Sequence, residues 1–147
     1  MLRLLRIVDA LPPGFDALCG EAGAEGHRHM ARLAQDWASG AERFAAEGEA
    51  LLAAFIDDRL VAVGGLTREP APAPEQTFRM RRLYVTISAR RRGVAGSLVS
   101  ALIQAAATAR RLTVHAGSEE AAAFWIAQGF RPVEGEAWSH EQLRPFA

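Results

Sequence analysis

The residues Arg90-Arg91-Arg92-Gly93-Val94-Ala95-Gly96-Ser97 concentrate the chemistry of this sequence. They follow a segment, Thr77 to Val85, that reads as a strand, and they open a run that reads as a helix. A helix start offers backbone N–H groups with no internal partner and the positive end of the helix dipole. An anion placed there accepts several N–H bonds at once. Gly93, Ala95 and Gly96 remove side chains that would hold a phosphate away, and guanidinium groups grip phosphate oxygens in pairs. Three consecutive arginines also suit a solvated surface. Their place just ahead of small residues at a strand-to-helix junction favours the anion site.

The other chemically capable side chains are scattered. Tyr84 lies on the strand before the loop, and its alternation with Leu83 and Val85 suits packing as well as catalysis. His115 ends a short strand, Leu112 to Ala116. His140 lies on the last strand, and His27 and His29 on a helix that reads as surface. Trp37 and Trp138 fit either a core or the lining of a ligand pocket. Cys19 is the single cysteine, in an Ala/Gly-rich stretch with no adjacent base, and reads as an inert packed thiol. No His/Cys/Asp/Glu cluster has ligand spacing, so no metal is expected.

The elements that must position these groups follow from periodicity and punctuation. Leu2 to Asp9 reads as a strand stopped by Pro12-Pro13-Gly14. Two helices follow, the second carrying Met30, Leu33, Ala34 and Trp37 on one face and ending near Ser39-Gly40. Glu42 to Glu49 has no clear pattern. Ala50 to Asp57 and Leu60 to Thr67 form a hairpin across Asp57-Asp58-Arg59. Pro70, Pro72 and Pro74 make the next segment a loop. After the Thr77 to Val85 strand, Val94 to Arg111 reads as a helix with Leu98, Ala101, Leu102 and Ala105 inward. Ser118 can cap a helix running to Gln128, stopped by Gly129. Phe130 to Val133 and Trp138 to Leu143 close the chain as strands. The expected class is α/β: a central, mostly antiparallel mixed sheet of about seven strands flanked by about four helices, in a single domain over residues 1–147.

Bulk properties narrow the function. Lys+Arg and Asp+Glu are 17 each, so the basic excess of a nucleic-acid binder is absent. No apolar run approaches the roughly 18–20 residues of a membrane helix, and the N-terminus does not read as a signal peptide. A lone cysteine suits a reducing compartment, so the expectation is a cytoplasmic protein. The apolar last strands fit a homodimer and a packed monomer equally.

Two motifs together resemble the GNAT family of N-acetyltransferases. The family's acyl-CoA loop reads Arg/Gln-x-x-Gly-x-Gly/Ala, matched by Arg90-Arg91-Arg92-Gly93-Val94-Ala95, and is preceded by a strand end like Leu83-Tyr84-Val85. A downstream Ala-x-x-Phe-Tyr-x-x-x-Gly-Phe is matched by Ala121-Ala-Ala-Phe124-Trp125-Ile-Ala-Gln-Gly129-Phe130. The close match covers Arg79 to Val133. The resemblance implies a GNAT-like fold and transfer of an acetyl group from acetyl-CoA to a primary amine of a small molecule or peptide, by direct attack. It implies coenzyme contacts from Leu83, Val85, Arg90, Arg91, Arg92, Gly93, Val94, Ala95, Gly96, Ser97, Ser118, Phe124 and Trp125. The Val85 N–H would polarise the thioester carbonyl, with Tyr84 and His115 as candidate catalytic side chains. Two positions depart from the family. Trp125 stands where a tyrosine protonates the leaving sulfur, and an indole cannot serve as that acid. Arg79 stands where a glutamate acts as base, and could instead hold a substrate carboxylate. These departures make a non-catalytic acyl-CoA-binding module the alternative.

Overall fold

The computed structural model describes residues 1–144. The chain order is β1 (Leu2–Arg6), α1 (Phe15–Ala24), α2 (His29–Ser39), β2 (Ala50–Ile56), β3 (Arg59–Arg68), β4 (Thr77–Val85), a 3-10 turn (Ile87–Ala89), α3 (Val94–Ala105), β5 (Arg111–Val114), α4 (Glu119–Ala127), β6 (Arg131–Pro132) and β7 (His140–Leu143). The strands form one sheet in the order β1-β2-β3-β4-β5-β7-β6. Among the described residues only β4 and β5 run parallel. The β2–β3 hairpin turns on Asp57 and Asp58, both left-handed (φ 49 and 67), a conformation that aspartate tolerates and that matches strand twist.

Each face of the sheet buries its own core. Phe15, Leu18 and Ala22 of α1 and Met30, Leu33 and Trp37 of α2 pack on Leu51, Ala53, Phe55, Val63 and Tyr84. On the opposite face Val99 and Leu102 of α3 and Trp125 of α4 pack on Leu66, Phe78, Met80, Leu112 and Val114. Gly64 and Gly65 let both layers approach. A Cβ on Gly64 would meet Leu98 at 3.0 Å, and one on Gly65 would meet Phe44 at 2.5 Å.

Two features of β4 shape the site. The β4–β5 ladder covers only Thr77↔Arg111, Phe78↔Leu112 and Arg79↔Thr113, so Met80–Val85 run on without a β5 partner and the strands part. In addition, Val63 pairs Tyr84 while Gly65 pairs Arg81, so Gly64 alone faces Arg82 and Leu83. This is a bulge, with Arg82 at φ 60. The extra residue flips the face of everything after it. Phe78 and Met80 point to the α3 layer before it, whereas Tyr84 points to the α1–α2 layer after it.

The third helix is shorter than its alanine content suggests. It ends at Ala105 rather than Arg111, and Ala105 is exposed while Val99 takes the inward place. Arg110 N–H donates to Gln76 O and Arg111 starts β5, so sheet pairing overrides helix propensity there.

Candidate active site

The loop leaves β4 through the 3-10 turn and passes Arg91 (φ 64) and Gly93 (φ 76) into α3. The first α3 helix bond is Ser97 N–H to Gly93 O at 3.0 Å. The N–H groups of Val94, Ala95 and Gly96 therefore lack a helical acceptor, no side chain caps the helix, and its first turn holds no acid. A Cβ on Gly93 would meet nothing within 4 Å, and one on Gly96 only the tip of Gln128 at 3.8 Å. Arg91 and Arg92 are exposed and form no ion pair among the described residues. An open groove of about 550 Å³ lined by Gly93, Gly96, Ser97, Ser100, Gln104 and Gln128 runs alongside. These features fit a pyrophosphate.

Arg90 is engaged within the protein. Its guanidinium forks onto Glu25 at 3.0 and 2.6 Å, its Nε donates to Val85 O at 3.0 Å, and it lies 5.5 Å over the Tyr84 ring. The Arg90 side chain therefore ties the loop to α1, and the cations left to meet an anion are Arg91 and Arg92.

Tyr84 is likewise engaged within the protein. It is buried, with its hydroxyl 2.8 Å from Glu21 Oε2 and 2.5 Å from Glu25 Oε1. Burial and these two carboxylates push its pKa up. Glu21 Oε2 also accepts the Ile87 N–H at 3.1 Å. The bulge aims the phenol at α1, away from the open edge of β4.

That edge is defined by alternation. Thr86 N–H donates to Val61 O at 2.8 Å, so Tyr84 and Thr86 turn their backbone groups to β3. Leu83 and Val85 turn theirs to the gap, where Leu83 O accepts from His29 Nε2 at 2.9 Å and Val85 O from Arg90. His29 heads α2, half-buried against Tyr84 (ring centroids 6.0 Å apart). Sequence reasoning gave it little weight, because its neighbours Met30, Leu33 and Trp37 define the helix's buried face and left His29 reading as surface.

The remaining candidates separate. Arg79 donates to Glu69 at 2.7 Å and to Ala137 O at 3.3 Å, and Thr113 also donates to Glu69 at 2.8 Å. Arg79 is thus engaged within the protein, which counts against its holding a substrate carboxylate. Trp125 is buried between Phe124 and Phe130 at 5.0 and 5.2 Å. Ser118 Oγ caps α4, accepting from Ala121 N–H at 3.1 Å. His115 lies just past β5, exposed, with no hydrogen bond among the described residues. His140 is buried with Nδ1 2.8 Å from Ser139 Oγ. Trp37 and Trp138 are both core residues, Trp138 Nε1 donating to Glu141 at 3.0 Å. Among the described residues no group of three His, Cys, Asp or Glu side chains could hold a metal ion.

The family model described as "Acetyltransferase (GNAT) domain" matches residues 20–143. The chain belongs to the GNAT acetyltransferases. As a family member it is an acyl-CoA-dependent acetyltransferase. A protein of Exiguobacterium sp. 255-15 described as an acetyltransferase is 26% identical, covering 97% of this chain and 93% of that one, with a TM-score of 0.86. A GNAT-family protein of Desulfovibrio desulfuricans shares the fold at 17% identity, covering 97% and 99%, with a TM-score of 0.73. A GNAT acetyltransferase of Elizabethkingia anophelis, solved with acetyl-CoA bound, shares it at 14% identity, covering 90% and 78%, with a TM-score of 0.59. A search of curated proteins found no match. The central sheet of about seven strands and about four helices expected from the sequence are the observed ones among the described residues.

Proposed function

We propose that this GNAT domain transfers the acetyl group of acetyl-CoA to a primary amine of a small molecule or peptide by direct attack, in the cytoplasm. The observation that carries the reading is the uncapped start of α3, open at Gly93 and beside an unpaired strand edge. The N–H groups of Val94, Ala95 and Gly96, with Arg91 and Arg92 outside them, suit the pyrophosphate. The edge of β4 at Leu83 and Val85 suits the extended arm that follows. The Val85 N–H on that edge is placed to polarise the thioester carbonyl, an effect on the order of 3 kcal/mol. Holding the amine against that carbonyl supplies much of the remaining acceleration.

Calorimetric titration with acetyl-CoA tests the reading, with adenosine and inorganic phosphate as controls. We expect micromolar or tighter binding, about −8 kcal/mol. A folded protein that shows no heat with acetyl-CoA overturns it.

A further inference from the structure

We propose that His29 is the general base of the transfer reaction, its Nδ1 accepting the proton that the attacking amine sheds. The inference rests on the coenzyme placement proposed above and adds a residue to it.

The geometry fixes the tautomer. A carbonyl oxygen only accepts, so the 2.9 Å contact with Leu83 O requires His29 to carry hydrogen on Nε2. In the neutral ring the lone pair is then on Nδ1, which has no hydrogen-bond partner among the described residues. Leu83 and Val85 share the open edge of β4, their equivalent atoms two residues or about 6.6 Å apart along the strand. A nitrogen attacking a carbonyl held at Val85 therefore lies within direct or one-water reach of the imidazole.

The surroundings keep the ring neutral. Burial lowers its pKa below the ordinary 6.5, and Coulombic interaction with His27 and Arg82 acts in the same direction, while the Leu83 carbonyl opposes them. The ring also sits at the N-terminus of α2, where the dipole disfavours a cation. His27 faces it from the preceding loop (centroids 5.5 Å apart), and Arg82 and Tyr84 face it from β4. Glu21 of α1 and Glu25 at its C-terminal cap lie behind Tyr84 and hold its hydroxyl. Arg79 cannot take this role, being a cation paired with Glu69.

The step balances simply. A neutral amine forms the C–N bond while the C–S bond breaks, and the sulfur leaves with the bonding pair. The proton made acidic on nitrogen passes to His29 Nδ1 and from there to thiolate or water.

The test is a pair of variants, with CoA release from acetyl-CoA measured with and without benzylamine. His29→Gln keeps an amide N–H for Leu83 O but has no basic nitrogen. We expect it to bind acetyl-CoA with a Kd within twofold of wild type and to lose about 100- to 1,000-fold in kcat. Its rate per neutral amine should lose the acid limb that wild type shows as His29 protonates, on the acid side of the ordinary histidine range. His29→Ala should be partly restored by added imidazole. Unchanged kcat in His29→Gln, or an acid limb that persists there, overturns the proposal, as does a wild type that binds acetyl-CoA but accelerates neither reaction. Failure of wild type to bind acetyl-CoA sinks the coenzyme placement instead, and the calorimetry reads that separately.

Discussion

Two helices of this fold each follow a strand and a short turn, yet their first turns are opposite in character. α4 is closed: Ser118 Oγ accepts the Ala121 N–H at 3.1 Å, and Glu119 and Glu120 complement its dipole. α3 is open: Gly93 offers no side chain, no acid sits in the first turn, and arginines precede it. One helix satisfies its own N-terminus and the other leaves it for a visitor. The contrast supports the proposed anion site better than the arginines alone do, because arginines on a surface need no ligand whereas bare helix N–H groups leave places for an acceptor, water or ligand.

The largest expected effect comes from closing the open helix. Gly93→Val should reduce acetyl-CoA affinity at least 100-fold, about 2.7 kcal/mol. Part of its consequence would be strain, because φ 76 suits a branched residue poorly. Gly96→Ala separates the two effects. It sits within α3, and its methyl would meet only Gln128 at 3.8 Å. Folding should gain about 1 kcal/mol from helix propensity, while acetyl-CoA affinity falls about tenfold. Equal affinity in both folded variants, measured by calorimetry, removes the pyrophosphate from this helix.

A smaller effect is expected at the closed helix. Ser118→Ala should cost about 1 kcal/mol of stability in denaturant melts, through the lost cap, and leave the acetyl-CoA Kd within threefold. A Kd that rises tenfold would place the Ser118 hydroxyl against the coenzyme and erase the contrast.

The parts of this site that were legible in the sequence are those whose chemistry is local. Gly93 in a turn, Ser118 before a helix, Gly129 after one and Asp57-Asp58 between strands each declare their own backbone geometry. What was not legible depends on pairing. Nothing in Arg79-Met80-Arg81-Arg82 marks Arg82 as the bulge, yet that one residue decides that Tyr84 faces α1 and not α3. The Glu25 contacts to Tyr84 and Arg90 span 59 and 65 positions, beyond any motif. The alanines after Ala105 read as helix, and only Gln76 O, receiving Arg110 N–H, shows why the helix stops. His29 stayed hidden for the same reason, since its partner is a backbone carbonyl 54 positions away.

The open loop also differs from the closed helix in what holds it. α4 is capped from within, whereas the loop before α3 is fastened to α1 through Glu25 and Arg90. The Arg90 guanidinium, and secondly the Tyr84 hydroxyl, hold the Glu25 pKa at about 2 against an ordinary 4.5. A carboxylate depressed on folding stabilises the native state above its unfolded pKa, and the benefit fades as pH falls from about 4.5 toward 2. Glu25→Gln should therefore be less stable than wild type by a constant margin from pH 6 to 8. The two melting curves should converge below about pH 4.5, and the variant's acetyl-CoA affinity at neutral pH should drop only a few-fold. If the margin already shrinks between pH 7 and 6, another group with a higher pKa governs it, and the Glu25–Arg90 pair is not what secures the loop.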